Sequence, residues 1–125
     1  VMIKKALLSL MIFVSFLSSA QEEGTFVVSD GNQKITLILE TKLPYVELDK
    51  PILFTTYYEN IDLKRSKTIA RGLKKSGKRC EGNCAVWEAL VDKKGLVDGH
   101  FKVMLSYRLT DEGEAKELNI LIPVK

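Results

Sequence analysis

Histidine, cysteine and proline are scarce in this sequence: one His, two Cys and three Pro in 125 residues. Nucleophilic catalysis by Ser or Cys commonly needs a histidine base. His100 stands alone between Gly99 and Phe101, where it reads as a surface residue at the start of a strand. The Gly-x-Ser-x-Gly elbow, the His-Glu-x-x-His zinc motif and a phosphate-binding glycine loop are all missing. The acidic neighbours Glu22 and Glu23 fall in a polar lead-in, and Asp111 and Glu112 in a turn, so paired carboxylates for glycoside chemistry have no scaffold. Asp62, Asp92 and Asp98 lie in loops without the dense alternating acids of a calcium site. No Asn-x-Ser/Thr sequon is present. The expectation is a protein that is not an enzyme, with no catalytic residues, no metal site and no cofactor.

Long apolar runs are also missing. The longest, residues 6–17, has 12 residues, short of the roughly 20 that span a bilayer. It follows Lys4 and Lys5 and precedes Ser18-Ser19-Ala20. A basic start, an apolar stretch and a small-x-small end are the parts of a secretory signal peptide, so residues 1–20 are expected to be removed before Gln21. Residues 21–125 then form a single domain, with no membrane span after cleavage. The destination is the periplasm, the cell surface or the medium. Without Lys4 and Lys5, the 19 basic residues fall to 17 against 16 acids. The overall charge therefore implies no partner.

What fills the rest is a succession of short β-runs between turn signals, with no internal repeat. Residues 25–29 (TFVVS) precede Asp30-Gly31-Asn32, a turn that tolerates positive φ. In residues 34–41, Ile35, Leu37 and Leu39 alternate with polar neighbours, the period of a half-buried strand. Pro44 interrupts, and residues 45–48 form a brief extended piece. Residues 52–59 (ILFTTYYE) are aromatic and β-branched; adjacent Tyr57 and Tyr58 must face opposite ways. Residues 67–71 are a weaker strand; residues 84–91 fit a strand or a helical turn, and the strand is preferred because Ala85, Trp87, Ala89 and Val91 alternate with Val86, Glu88 and Leu90. Phe101, Val103, Leu105, Tyr107 and Leu109 alternate in the clearest strand. A loop at 111–114 joins it to residues 116–124, where Leu118, Ile120, Ile122 and Val124 share a face and Pro123 marks a sheet edge. Seven strands and no amphipathic helix predict an all-β protein, an antiparallel seven-stranded immunoglobulin-like β-sandwich with Trp87 between the sheets.

The stretch KKSGKRCEGNC, residues 74–84, holds both cysteines, and four readings compete for it. As a metal site, Cys80 and Cys84 supply two of the four ligands a tetrahedral zinc wants. As a redox site, Cys-x-x-x-Cys is one residue longer than the thioredoxin spacing, though Lys78 and Arg79 favour a thiolate. As a structural link, Glu81-Gly82-Asn83 forms a hairpin loop that sets Cys80 opposite Cys84 as a cross-strand pair for a disulfide. That third reading is preferred in an exported chain. The fourth concerns charge. Lys64, Arg65, Lys67, Arg71, Lys74, Lys75, Lys78 and Arg79 form a run with no acid among them. Such a segment attracts an anionic envelope component or an acidic protein, unless it is only a solvated loop that keeps an edge strand from pairing. Nucleic acid is a poor partner and none is expected, because no aromatics interleave the charges for stacking and the protein is exported.

Asp49-Lys50-Pro51-Ile52, Glu59-Asn60-Ile61-Asp62-Leu63, Thr68-Ile69-Ala70-Arg71-Gly72 and the closing hairpin of residues 102–124 resemble small immunoglobulin-like modules of exported bacterial proteins. Their layout is similar to that of the periplasmic β-domains of the gliding-motility and type IX secretion ring protein. The resemblance covers residues 45–124; the insert between Cys80 and Cys84 and the single-domain length depart from it. It implies an assembly or binding domain of a cell envelope, with no catalytic residues to carry over. The expected function is that of an exported, non-enzymatic module contacting its partner through the basic, disulfide-held loop. The alternatives are a small extracytoplasmic redox protein or hydrolase using Cys80, Cys84 or His100, and an enzyme inhibitor that presents the closed loop.

Overall fold

A computed structural model describes residues 24–125. The expected signal peptide, residues 1–20, lies outside the described residues.

Each alternating run becomes a strand because one of its faces has something apolar to bury against. The strands are β1 (Thr25–Asp30), β2 (Gln33–Leu39), β3 (Pro51–Glu59), β4 (Ser66–Ile69), β5 (Lys74–Lys75), β6 (Cys84–Leu90), β7 (Leu96–Val97), β8 (His100–Tyr107) and β9 (Lys116–Pro123). They form two antiparallel sheets. The first runs β1-β2-β3-β6-β5; in the second, β8 pairs with β9 along one side and with β4 and β7 along the other. Each of the seven runs expected as strands overlaps a strand, and the structure has nine strands where seven were expected. The additional pair, β5 and β7, are two residues long each, too short to show a period of their own. Residues 45–48 form no strand. Val46 makes a single parallel bridge to Val124, with its amide on the Pro123 carbonyl at 2.9 Å.

The turns follow their local chemistry. Asp30 pairs with Gln33, and of the two residues between them only Gly31 has positive φ, at 61°, which is the type II′ requirement. Asp62 and Asp92 each accept a backbone N–H two residues on, at 3.0 and 2.9 Å. These caps start the 3-10 turns Leu63–Arg65 and Lys93–Gly95.

The core is the sum of the inner faces. Ile35, Leu37 and Leu39 of β2, Ile52 and Phe54 of β3, Phe101, Val103 and Leu105 of β8, and Ile120 and Ile122 of β9 are all buried in one cluster. A fully buried side chain of this size contributes about 1.5–3 kcal/mol. Leu109, expected to extend the β8 alternation, lies past its end and is exposed. Tyr58 is buried and Tyr57 exposed, the opposition that adjacency on a strand dictates.

One polar chain crosses this core. Trp87 packs against the cluster from β6, and its Nε1 donates to Thr56 Oγ1 at 3.0 Å. The Thr56 hydroxyl donates to Tyr58 Oη at 2.9 Å, and Tyr58 Oη lies 3.1 Å from Thr68 Oγ1. Thr56 and Tyr58 belong to the first sheet and Thr68 to the second, so the chain ties the layers together. Thr56, the only buried polar residue among those described, is satisfied by it.

On one side of the sandwich, β1 and β9 adjoin, with Lys116 Nζ 3.5 Å from Asp30 Oδ2. Tyr107 is buried beneath this side, and its hydroxyl has no hydrogen-bond partner among the described residues. Burial pushes its phenol above the ordinary range, and the nearby Asp30 carboxylate adds to that shift. The opposite side is formed by β4 and β5.

Candidate functional site

The basic run from Lys64 to Lys75 follows that opposite side. After the turn capped by Asp62, β4 forms an edge of the second sheet. Four residues, Ala70 to Leu73, then carry the chain across to β5, the edge of the first sheet. Their turn is closed by the Leu73 N–H on the Ala70 carbonyl at 3.2 Å. Gly72 allows it with φ of 72°, where a Cβ would stand 3.2 Å from the Leu90 carbonyl. Short edge strands studded with lysine resist pairing with another sheet, so Lys67, Lys74 and Lys75 protect the two edges wherever else they act.

The eight cations are not equivalent. Arg65 is a structural clamp: its Nε lies 2.7 Å from Asp111 Oδ1 and its Nη1 3.5 Å from Asp62 Oδ2. It joins the start of β4 to the β8–β9 loop, and the Arg108 amide donates to its carbonyl at 3.0 Å. The hydrogen bond to Asp111 and its charge raise the Arg65 guanidinium pKa, and the same contact lowers the Asp111 carboxyl below its usual range. Lys74 pairs with Glu88 at 3.7 Å and Lys78 with Glu40 at 3.8 Å. Arg71 lies across Gly95, where a Cβ would stand 2.3 Å from its Cδ. Lys64, Lys67, Arg71, Lys75 and Arg79 have no carboxylate partner within 4.0 Å among the described residues.

The fold gathers the run into two places. Lys64, Arg65 and Lys67 surround a depression of about 380 Å³ together with Ser66, Ser106 and Arg108. Arg108 is the cation that sequence reading missed. The register of β4 against β8, Ser66 opposite Tyr107, brings it there, and no local pattern could have announced it. Lys78 and Arg79 line a separate cleft on the outer face of the first sheet. Lys74 and Lys75 lie on the edge between these places, and Arg71 at the crossing turn.

Cys80 and Cys84 are joined in a disulfide. Its setting differs from the hairpin expected. Cys80 belongs to no strand, and the two Cα atoms are 6.2 Å apart, wider than the ~4.5 Å of a non-hydrogen-bonded cross-strand pair. The reason is that β5 ends at Lys75, so residues 76–83 form one long connection and Cys84 begins β6. Asn83 anchors its end, donating from Nδ2 to the Ile61 carbonyl at 2.7 Å and the Tyr58 carbonyl at 3.2 Å. With both sulfurs committed to each other, neither is a thiolate ligand or nucleophile in this state. His100 begins β8, its Nδ1 2.8 Å from the Asp98 carbonyl oxygen.

Among the described residues, no helix is long and apolar enough to cross a membrane. Compared with protein-family models, with curated proteins and with solved structures, the chain has no match in any of the three.

Proposed function

We propose that this protein is an exported, non-enzymatic binding or assembly module of a bacterial cell envelope. Its partner is a protein or an anionic envelope component, met through the β4–β5 side and the disulfide-held loop. The observation that carries it is the placement of the basic run. Lys64 to Lys75 follow the β4–β5 side and Lys78 and Arg79 stand next to it on the outer face of the first sheet, and five of the eight have no carboxylate partner among the described residues. A field of one sign on one face draws oppositely charged partners and raises their rate of encounter. The disulfide supports export, since such bonds persist in oxidising compartments.

The strand order supports an immunoglobulin-like architecture. With β1 and β7 set aside, one sheet pairs β2-β3-β6-β5 and the other β4-β8-β9. Taken in chain order as A to G, these pairings follow the A-B-E-D and C-F-G sheets of that fold.

The experiment is retention of the mature protein on anionic envelope material across a salt series, with Lys64, Lys67, Lys75 and Arg79 reversed to Glu. Binding that weakens with salt and disappears in the reversed variant is expected. Equal retention of both proteins at low ionic strength removes the binding role of this side and leaves the cations with edge protection alone.

A further inference from the structure

The outward face of the first sheet carries an apolar strip among its polar residues. Register places Ile38, Thr55 and Val86 side by side across β2, β3 and β6, with Leu53 in the next row and Tyr57 in the one before. Antiparallel sheets with one solvated face normally turn polar residues outward. Here Ile38, Leu53, Tyr57 and Val86 line a cleft of about 270 Å³, and Thr55 is the only hydroxyl-bearing neighbour besides the Tyr57 phenol.

The disulfide-held connection forms one wall. Cys84 is the cross-strand neighbour of Tyr57, so the disulfide sits on this outward face. The Ser76 amide donates to the Val86 carbonyl at 3.2 Å. The short segment between Ser76 and Cys80 is therefore pinned at both ends beside β6, which places Lys78 and Arg79 over the cleft. Lys42 stands at its far end, and Glu40, already paired with Lys78, is its only acid. Leu53 marks the end of the apolar floor: Glu88 is its cross-strand neighbour, and Glu40 and Glu88 line the adjoining depression.

We infer that this cleft, between the Lys78–Arg79 wall and Lys42, is a docking groove for an extended acidic peptide segment of a partner protein. The inference rests on the binding role proposed above. An aliphatic floor selects apolar side chains, and the cationic rim selects carboxylates beside them. A polysaccharide would need polar partners along the floor, where Ile38, Leu53 and Val86 offer aliphatic carbon. Holding Lys78 and Arg79 in place beforehand reduces the entropy lost on binding.

The test is fluorescence anisotropy of a labelled short peptide of glutamates interrupted by single leucines. A lysine–leucine peptide, leucine-free polyglutamate and phosphatidylglycerol vesicles serve as competitors. The glutamate–leucine peptide should bind, and Tyr57→Ser with Val86→Thr should weaken it by about tenfold, as loss of central anchors does. Lys78→Glu with Arg79→Glu should do the same, while Lys93→Glu with Lys94→Glu, exposed and away from the cleft, should leave it within about twofold. All these positions are at the surface, and near-ultraviolet circular dichroism of Trp87 checks that each variant is folded. The inference is overturned by no binding at low ionic strength, by equal competition from polyglutamate or vesicles, or by indifference to Tyr57→Ser with Val86→Thr. If indifference at the cleft accompanies loss on charge reversal, the groove falls while the basic side keeps its role.

Discussion

Replacing Tyr58 by Phe tests how the two layers are held in register. The ring stays, so its packing against the core is unchanged; only the hydroxyl between Thr56 and Thr68 is removed. Thr56 is fully buried at 0% exposure, and its hydroxyl proton has no other acceptor in its side-chain bonding, because Trp87 Nε1 donates to the same oxygen. Thr68 is half-buried and turns to water. The cost is one buried donor left unpaired, about 1.5 kcal/mol. For a domain near a hundred residues, that lowers Tm by about 6–12 °C. Thr68→Val should cost a similar amount, about 1–1.5 kcal/mol, because Tyr58 accepts from Thr56 and its own buried proton then loses Thr68 Oγ1 as acceptor. Together the two substitutions should cost less than their sum, since both remove the same bond. Urea denaturation of the four proteins, followed by Trp87 fluorescence, measures all three values. A fully stable Tyr58→Phe variant, or strict additivity, refutes a hydrogen-bonded tie between the sheets.

Other outcomes follow from single contacts. The Asp111 carboxyl is held low by Arg65, so its share of stability is present above the ordinary carboxyl pKa of 3.8 and is lost as pH falls through the lower folded value. Carbon-detected NMR titration should show Asp111 returning to the ordinary range in Arg65→Gln, with little change in stability because the pair is exposed. Tyr107 ionises above its ordinary value of 10.0, so the stability linked to its neutral form is present below that pH and lost above it. Phenolate absorbance should show a component titrating above 10.0 that Tyr107→Phe removes. Tyr107→Phe should be neutral or stabilising by up to about 1 kcal/mol, since the buried hydroxyl makes no hydrogen bond among the described residues. Cys80→Ser with Cys84→Ser should cost no more than about 2 kcal/mol, the chain-entropy value for so short a loop. Hydrogen exchange should then quicken in residues 76–83 while β8 stays protected.

Local side-chain order and tertiary pairing divide this protein between them. Alternation in Ile35-Leu37-Leu39 and Phe101-Val103-Leu105-Tyr107 marks strands and their inner faces from the sequence by itself, because side-chain direction along an extended backbone repeats every two residues whatever lies nearby. The Asp30-Gly31-Asn32 turn is equally local, and so is the closeness of Cys80 to Cys84. Strands β5 and β7 were invisible, since two residues carry no period and pair only because β6 and β8 stand beside them. The hairpin expected around Cys80 failed for the same reason: where β5 ends is set by the sheet it joins. The basic run was legible as composition, but its division into a clamp at Arg65, guarded edges and a cleft wall at Lys78 and Arg79 was not. Asp111 lies 46 residues from Arg65, and Arg108 comes from another strand. Such meetings depend on the register and packing of whole sheets, which are non-local, so only the tertiary structure decided them.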